Sequence, residues 1–344
     1  MKRPWLAPLV PLYAVGLSAR ALRLRWGWEP VRKLAWPVIS IGNLSTGGSG
    51  KTPLTIALAK LLAARGVYVD VLSRGYGRTN REPARVDPNG TPDQLIDQYG
   101  DEPLLIAREA GAPVYVALRR FDAGLLAEGD ISPAGQHDAP RIIVTRAHIL
   151  DDGFQHRQLH RTVDILLLHR GDWQDSLLPA GNLREALHAA KRAHVIAISA
   201  DDLDFETELR RWGWAGPVWL LHRRMEIPRI DGPVVAFCGI ARPEQFFSGL
   251  EDTGLRLAVC SAYTDHYRYT ADDLNKLVAT ARAAKAATLL TTEKDAVRLG
   301  ALASVFPTDL PLKIAKLQIE IEDAEVAIDW LLARLAAGES SHRL

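Results

Sequence analysis

The residues best suited to chemistry are Ser45-Thr46-Gly47-Gly48-Ser49-Gly50-Lys51-Thr52, which follow an apolar run at 38–41 and precede a helix-forming stretch at 53–65. They match the phosphate-loop pattern G-x-x-x-x-G-K-[ST] except at the first position, where Ser45 stands in place of glycine. In such a loop, backbone N–H groups point at phosphate oxygens, Lys51 reaches the β- and γ-phosphates, and Thr52 ligates Mg²⁺. Gly47 and Gly48 supply the tight turn, so Ser45 is tolerable provided its own φ stays negative. A nucleotide site also needs an acid at a strand end for the metal, and Asp151 with Asp152 follows Ile149-Leu150. Adjacent carboxylates repel unless a cation or hydrogen-bond donors stand between them, which favours the metal reading over a surface turn. Which of Thr52, Asp151 and Asp152 touches the metal directly stays open. Asp101 and Glu102, in Gly-Asp-Glu-Pro at 100–103, lie between the two nucleotide motifs, but acid pairs that precede helices commonly serve as caps. His266, beside Asp265, reads equally as an ordinary exposed histidine.

These side chains need a scaffold, and strand-like and helix-like segments alternate through most of the chain. Strands are expected at 38–41, 67–72, 114–117, 165–168 and 195–199, which predicts a mainly parallel α/β sheet flanked by helices, of the P-loop NTPase type. Before the Asp pair the strand is ambiguous, since 142–145 is more apolar than 147–150. Residues 121–141 read as a helix end followed by an exposed loop. Two β-prone connectors, 218–227 and 312–322, bracket a compact segment at 228–311; in the second, Leu317, Ile319 and Ile321 alternate with Gln318, Glu320 and Glu322. The connectors are expected to pair as a two-stranded linker. The expected organisation is therefore an N-terminal arm at 1–35, a P-loop domain of 36–217 plus 323–344, and a smaller α/β domain at 228–311.

The 344 residues are enough for two domains with real cores. Lys+Arg 42 against Asp+Glu 41 leaves a net charge of +1, so nothing suggests wholesale binding to nucleic acid, and no required protein partner is evident. The two cysteines, Cys238 and Cys260, exclude a disulfide framework and a four-thiolate metal cluster, which fits a reducing, cytoplasmic setting. The arm departs from this average. It carries Lys2, Arg3, Arg20, Arg23, Arg25, Arg32 and Lys33 against the single acid Glu29, around an uncharged stretch at 4–19. That stretch is shorter than the ~20 apolar residues of a spanning helix, and its prolines and Gly16 weaken it further. A segment lying in the membrane interface is the preferred reading, with Trp5, Trp26 and Trp28 at headgroup depth and arginines facing anionic lipid. A helix packed on its own domain and a cleaved signal peptide ending at Ala19-Arg20-Ala21 are the competing readings.

Taken in order, GNLSTGGSGKTP from Gly42, SRGYGR from Ser73, GDEP from Gly100, DDGFQH from Asp151, LPAGNLRE from Leu178, FCGIARPEQFF from Phe237, DHYRYT from Asp265 and TTEKDAVRL from Thr291 resemble one family, the tetraacyldisaccharide 4'-kinases. The resemblance runs from about residue 4 to residue 323. Serine at the first P-loop position is normal for that group. The loop also resembles that of the dimerising partition ATPases, but Thr46 stands where those carry a second lysine, which counts against the alternative of a regulatory, partner-binding ATPase of the switch type.

The resemblance implies ATP and Mg²⁺, and transfer of the γ-phosphoryl to the 4'-hydroxyl of a tetraacylated disaccharide 1-phosphate in lipid A biosynthesis. It also implies peripheral attachment at the cytoplasmic face of the bacterial inner membrane. It makes Asp101 the base that takes the hydroxyl proton, with His266 as its partner. Arg74, Arg120 and Arg184 become candidates for phosphate contact, while Gln155 and Glu185 lie in its motifs without an assigned role. Glu293, Lys294 and Asp295 read equally as an ion network or as substrate contacts. The chain departs from many relatives at 146–148, which puts the local strand register in doubt.

Deleting residues 1–30 should release the protein from sedimenting vesicles of anionic lipid; unchanged co-sedimentation would show that the arm is not the membrane contact.

Overall fold

In the computed structural model, residues 3–90, 92–130 and 146–340 are described. Strands form at Val38–Asn43 (β1), Tyr68–Ser73 (β2), Ala84–Arg85 (β3), Val114–Val116 (β4), Arg146–Leu150 (β5) and Val163–Leu167 (β6). The remaining strands are Val195–Ser199 (β7), Val218–Glu226 (β8), Val234–Cys238 (β9), Leu257–Ala262 (β10), Thr288–Thr292 (β11) and Leu312–Ile321 (β12). They hydrogen-bond into one sheet in the order β10-β9-β11-β12-β8-β7-β6-β1-β5-β2-β4-β3. Pairing is parallel throughout except between β3 and β4 and between β8 and β12. The fold is thus a mostly parallel sheet flanked by helices.

β1 is buried along its whole length and sits between β5 and β6, so the chain leaves it on both sides. Ligands of such sheets collect beyond the carboxyl ends of the strands, where the order reverses. Ser40 pairs with Leu150, which brings the residues after β1 and those after β5 to the same end of the sheet. Both nucleotide motifs follow these two strands.

The antiparallel pair β8–β12, with Lys316 opposite Glu226 and Ile321 opposite Leu221, joins the parallel run β9–β12 to the larger run that contains β1. Along β12, Ile319 and Ile321 are buried while Gln318 and Glu320 are exposed, because a strand with one covered face alternates its side chains. The helix Ala324–Ser340 then packs Ile328, Leu331 and Leu335 into the core cluster that holds Ile39, Leu54 and Val163. The alanine-rich stretch at 279–287 forms the end of the helix Ala271–Ala283 and the turn just beyond it. The exposed loop expected beyond Asp130, and the apolar candidate strand at 142–145, lie outside the described residues.

β5 begins at Arg146, and its register is fixed on both sides, His148 standing opposite Val38 and Asp70. A charged imidazole in a central strand needs partners, and it has them: Nδ1 is 2.7 Å from Asp70 Oδ1, Nε2 is 3.3 Å from Glu128 Oε1, and the ring stacks on Trp36 at 4.9 Å. Burial by itself would push the imidazole down, but these two carboxylates raise it to about 9. Burial also pushes Asp70 up, so the pair keeps its proton through neutral pH.

The N-terminal arm is a 3₁₀ turn at Pro4–Leu9 running into the helix Val10–Arg25, with no buried residue in either. Pro11 falls at the start of the α-helix, where a missing N–H costs nothing. The helical segment therefore continues past the uncharged stretch, and by length and composition Pro4–Arg25 could cross a membrane. One face is held to the protein body: Tyr13 donates to the carbonyl of Arg184 at 3.0 Å and Arg20 to that of Gln155 at 3.1 Å. The opposite face leaves Trp5, Leu12 and Val15 at 75%, 71% and 65% exposure.

Replacing His148 with alanine would leave Asp70 buried without its cation and should cost about 3–5 kcal/mol, read as a fall in the urea midpoint. In the wild type the contribution is complete below the unfolded-state pKa of 6.5 and is lost as pH rises through about 9. A midpoint unchanged by the substitution would contradict the paired reading.

Candidate functional site

The loop after β1 leaves the strand through Asn43 and turns at Gly47 and Gly50, whose φ values are 103° and 85°. Gly48 has no positive φ, so the left-handed turn is made by Gly47 and Gly50 rather than by the paired glycines. Ser45 keeps a negative φ: it is buried in an isolated antiparallel bridge with Leu183, and Thr46 N donates to Asn182 O at 2.8 Å. An extended residue in a bridge has no need of glycine, which accounts for the serine. Lys51 opens the helix Lys51–Ala64, with Thr52 next and buried.

The side chain of Asn43 gathers this corner. Its Oδ1 accepts from Lys51 Nζ at 3.1 Å and, in a short contact, from Arg184 Nη2, while Nδ2 donates to Ser45 Oγ at 3.4 Å. Arg184 grips Asp152 with both terminal nitrogens, at 2.8 and 2.9 Å, and Lys51 Nζ lies 3.5 Å from the same carboxylate. Burial would push Asp152 up, but its hydrogen bonds to Arg184 and the charges of Lys51, Arg184 and Arg120 hold it well below the usual carboxylate range. Asp152 has φ 48°, a left-handed conformation that aspartate tolerates better than most residues.

Asp151 behaves differently. It is buried, accepts a long hydrogen bond from Thr55 Oγ1 at 3.4 Å, and forms no ion pair with any described residue. Burial first, then Glu102 and Asp152, raise its carboxyl to about 7. A hard-oxygen donor set of Thr52 and Asp151, buried and not neutralised by a protein cation, suits a divalent ion, whereas Asp152 is already engaged by Arg184. Among the described residues no group of three or more His, Cys, Asp or Glu is arranged to hold a metal by itself, which is usual where phosphates and water complete the shell.

Asp101 opens the helix Asp101–Glu109 after Gly100, whose φ of 90° and closeness to the carbonyl of Tyr76 require glycine. Its Oδ2 lies 3.0 Å from His266 Nδ1 and 2.6 Å from Arg298 Nε. Burial would raise this carboxyl, but the His266 hydrogen bond and the Arg298 guanidinium hold it well below its usual range. The same hydrogen bond raises the His266 imidazole. His266 has φ 58° and packs against Tyr76 at 5.5 Å. Backbone strain of this kind collects at functional sites. One residue along, Glu102 pairs with Lys294 at 2.5 Å.

A cavity of about 1060 Å³ connects these groups, bounded by the P-loop, Asp151, Asp152 and His266. Asp101 is 6% exposed and lies just behind Glu102 and His266, which line the wall. Arg74, Arg120 and Arg184 face the cavity as well. Arg120 is buried, its Nε has no partner among the described residues, and burial pushes its guanidinium down to about 10, an arrangement that asks for an anion. Gln155 and Glu185 stand behind this lining. Gln155 Nε2 donates to Asn43 O at 2.8 Å, and Glu185 is bound by Arg192 at 2.9 Å. The sequence alone points to no role for Asn43 or Arg298. Both lie inside the family-like motifs, but neither residue type signals a contact so distant in sequence.

A sequence model of the tetraacyldisaccharide-1-P 4'-kinase family matches residues 2–336. The chain is 38% identical to the tetraacyldisaccharide 4'-kinase of Koribacter versatilis over 336 residues, 94% of this chain and 97% of that relative. It is 37% identical to that of Polaromonas naphthalenivorans, covering 99% of this chain and 95% of that relative. A crystal structure described as the "apo" form of LpxK from Aquifex aeolicus in complex with ATP superposes with a TM-score of 0.72 at 30% identity, over 96% of this chain and 98% of that one.

Lys51→Ala removes the cation shared by Asn43 and Asp152 and should abolish phosphoryl transfer; activity within ~10-fold of wild type would contradict the phosphate-loop assignment.

Proposed function

The chain belongs to the tetraacyldisaccharide-1-P 4'-kinase family, and from that premise we propose that its cavity passes the γ-phosphoryl of ATP to the 4'-hydroxyl of a tetraacyldisaccharide 1-phosphate, with Asp101 as general base and His266 as its partner. The enzyme class is thus an ATP-dependent lipid A kinase. The observation that carries the finer reading is the 3.0 Å contact between Asp101 and His266, residues 165 apart in sequence, beside the cavity that also holds Lys51.

Phosphoryl transfer passes through a loose transition state, so the protein contributes mainly position and charge. The 4'-oxygen attacks phosphorus, the bond to ADP breaks, and the hydroxyl proton goes to Asp101. A carboxylate held well below its usual range is a weak equilibrium base, but the proton moves late, once the oxygen is already bonding to phosphorus. Orientation then matters more than basicity. Lys51, held by Asn43, would meet the β/γ-phosphates, and P-loop N–H groups from Gly47 to Thr52 would cradle them, that of Thr46 being engaged by Asn182. Mg²⁺, when bound, would neutralise charge on the transferring group; Thr52 and Asp151 would hold it directly, and Asp152 through its neighbours. Arg74 and Arg120 are proposed for phosphate contact, as is Arg184 once released in part from Asp152, with Gln155 and Glu185 supporting that wall.

We also propose that residues 228–311 form a separate smaller domain, linked to the P-loop domain by 218–227 and 312–322, so that His266 reaches Asp101 when the two approach. The arm would lie in the cytoplasmic leaflet of the inner membrane, its outward Trp5, Leu12 and Val15 in lipid and its other face on the body. The acyl chains would then stay in the bilayer while the sugar enters the cavity.

Transfer of ³²P from ATP to tetraacyldisaccharide 1-phosphate in mixed micelles tests this reading. The wild type should give a bisphosphorylated lipid, and Asp101→Ala should lower kcat by ~10²-fold or more with folding intact. Near-normal turnover by the variant would remove Asp101 as base.

A further inference from the structure

Arg298 is a buried cation to which the proposed phosphoryl transfer gives no part. It lies on the helix Glu293–Leu299, with its side chain 4% exposed. Each end of its guanidinium is fixed. Nε donates to Asp101 Oδ2 at 2.6 Å, and Nη1 donates to Gly239 O at 2.5 Å and Asp295 Oδ1 at 3.2 Å. Asp295 is itself held by Tyr269 Oη at 3.0 Å, Gly239 N at 3.0 Å and Thr292 Oγ1 at 2.6 Å. The carbonyl of Gly239 that receives Arg298 also receives the backbone N–H of His266, at 3.2 Å. One rigid polar frame therefore sets both His266 and the arginine against a single oxygen of Asp101.

The other oxygen differs. Among the described residues Asp101 Oδ1 accepts only from the backbone N–H of Glu102, at 3.0 Å, which leaves it a lone pair. We propose that Arg298 is the positioning residue of Asp101: it pins Oδ2, so that Oδ1 is the oxygen offered to the acceptor hydroxyl. This rests on Asp101 being the base. The side chain rotates about two bonds, and without the arginine Oδ2 keeps only the His266 contact, so either oxygen can turn to the substrate. A forked, planar donor fixes a carboxylate in a way that a lysine point charge does not.

On the proposed two-domain reading, the contact would form with closure. Arg298 and Lys294, one turn apart on their helix, meet Asp101 and Glu102 at the start of another. The cation that orients the base arrives with the segment that brings His266.

The test is the pH profile of kcat/KM for lipid phosphorylation by wild type, Arg298→Gln, Arg298→Lys, Asp101→Asn and the Asp101→Asn/Arg298→Gln double variant, each scaled to folded protein by near-UV circular dichroism. Among the described residues the charged groups acting on Asp101 are His266 from the turn after β10, Lys294 and Arg298 from the helix Glu293–Leu299, and Glu102 on its own helix, with Asp265 and Asp295 beside Arg298; of these only Arg298 is changed. Arg298→Gln should lower kcat on the order of 10²-fold with the KM for ATP unchanged. With the cation gone, the Asp101 carboxyl rises, so the acid limb should move to higher pH by about 1 unit or more. Arg298→Lys keeps the charge and loses the fork, so kcat should fall while the acid limb stays near wild type. In the Asp101→Asn background, Arg298→Gln should cost nothing further.

A merely structural arginine would lower the folded fraction without moving the limb, and that result overturns the proposal. So does an equal further loss in the double variant. Wild-type turnover by Asp101→Asn would instead overturn the base reading, and the positioning role with it. Should Arg298→Gln fail to fold, the Asp101 carboxyl of ¹³C-aspartate-labelled wild type, assigned by its absence in Asp101→Asn, serves in its place. Because His266 also lowers this carboxyl, the same signal is followed in His266→Gln, where titration still well below the ordinary carboxylate range supports Arg298 control and titration near pH ~4 overturns it.

Discussion

Two carboxylates in the first turn of one helix meet two cations on another, and much of the site's geometry follows from burying those four charges together. Asp101 and Arg298 are both nearly inaccessible, as is Asp295, which braces the arginine. A buried ion that loses its partner is far more costly than the pair is worth, so this meeting is close to all-or-none. Glu102 and Lys294 add a second pair at the rim. Where these pairs form, His266 stands over Asp101 and the cavity acquires its second wall. The antiparallel β8–β12 joint makes the meeting possible, because it lets one continuous sheet carry both helices while the chain returns through a single pair of strands.

The other wall is organised by a balance of opposite signs. Asp152 would be an unstable guest beside Asp151, yet Arg184 and Lys51 neutralise it, while Asp151 forms no ion pair with any described residue. Asn43 links these groups from the end of β1, so the strand that begins the phosphate loop also aims its lysine. Arg120 supplies further positive charge, with a donor that no described residue engages. An anionic ligand entering this corner meets groups already in place, and preorganised charge of this kind usually accelerates a reaction more than any other single effect.

What was legible in the sequence was what local chemistry dictates. Lys51 and Thr52 announce themselves because a phosphate loop is a contiguous pattern between a strand and a helix. The alternation of Leu317, Ile319 and Ile321 marks β12 for the same reason. Ser45 is legible there only as a tolerated exception; its bridge to Leu183 supplies the physical cause. The paired glycines suggest a turn at Gly47 and Gly48, whereas the positive φ values fall at Gly47 and Gly50. Arg298 could not be read, since its partner lies 197 positions away and an arginine at the end of a short helix carries no signal of burial. The same holds for His148, whose polar character argues against a central strand unless Asp70 and Glu128 are known to stand on either side of it. The arm shows a third limit. Its stretch of apolar residues suggests a segment at a surface, but only the structure separates the face that reaches Arg184 and Gln155 from the face left open.

In the proposed reaction, one acceptor oxygen stands at once beside Asp101 and in line with the phosphate held by Lys51. A crystal structure with a non-hydrolysable ATP analogue, Mg²⁺ and tetraacyldisaccharide 1-phosphate measures this directly. The 4'-oxygen should lie within about 3 Å of Asp101 Oδ1, with Oδ2 still on Arg298 and His266. A 4'-oxygen placed beyond about 6 Å from Asp101, with the γ-phosphate correctly seated on the loop, would contradict it.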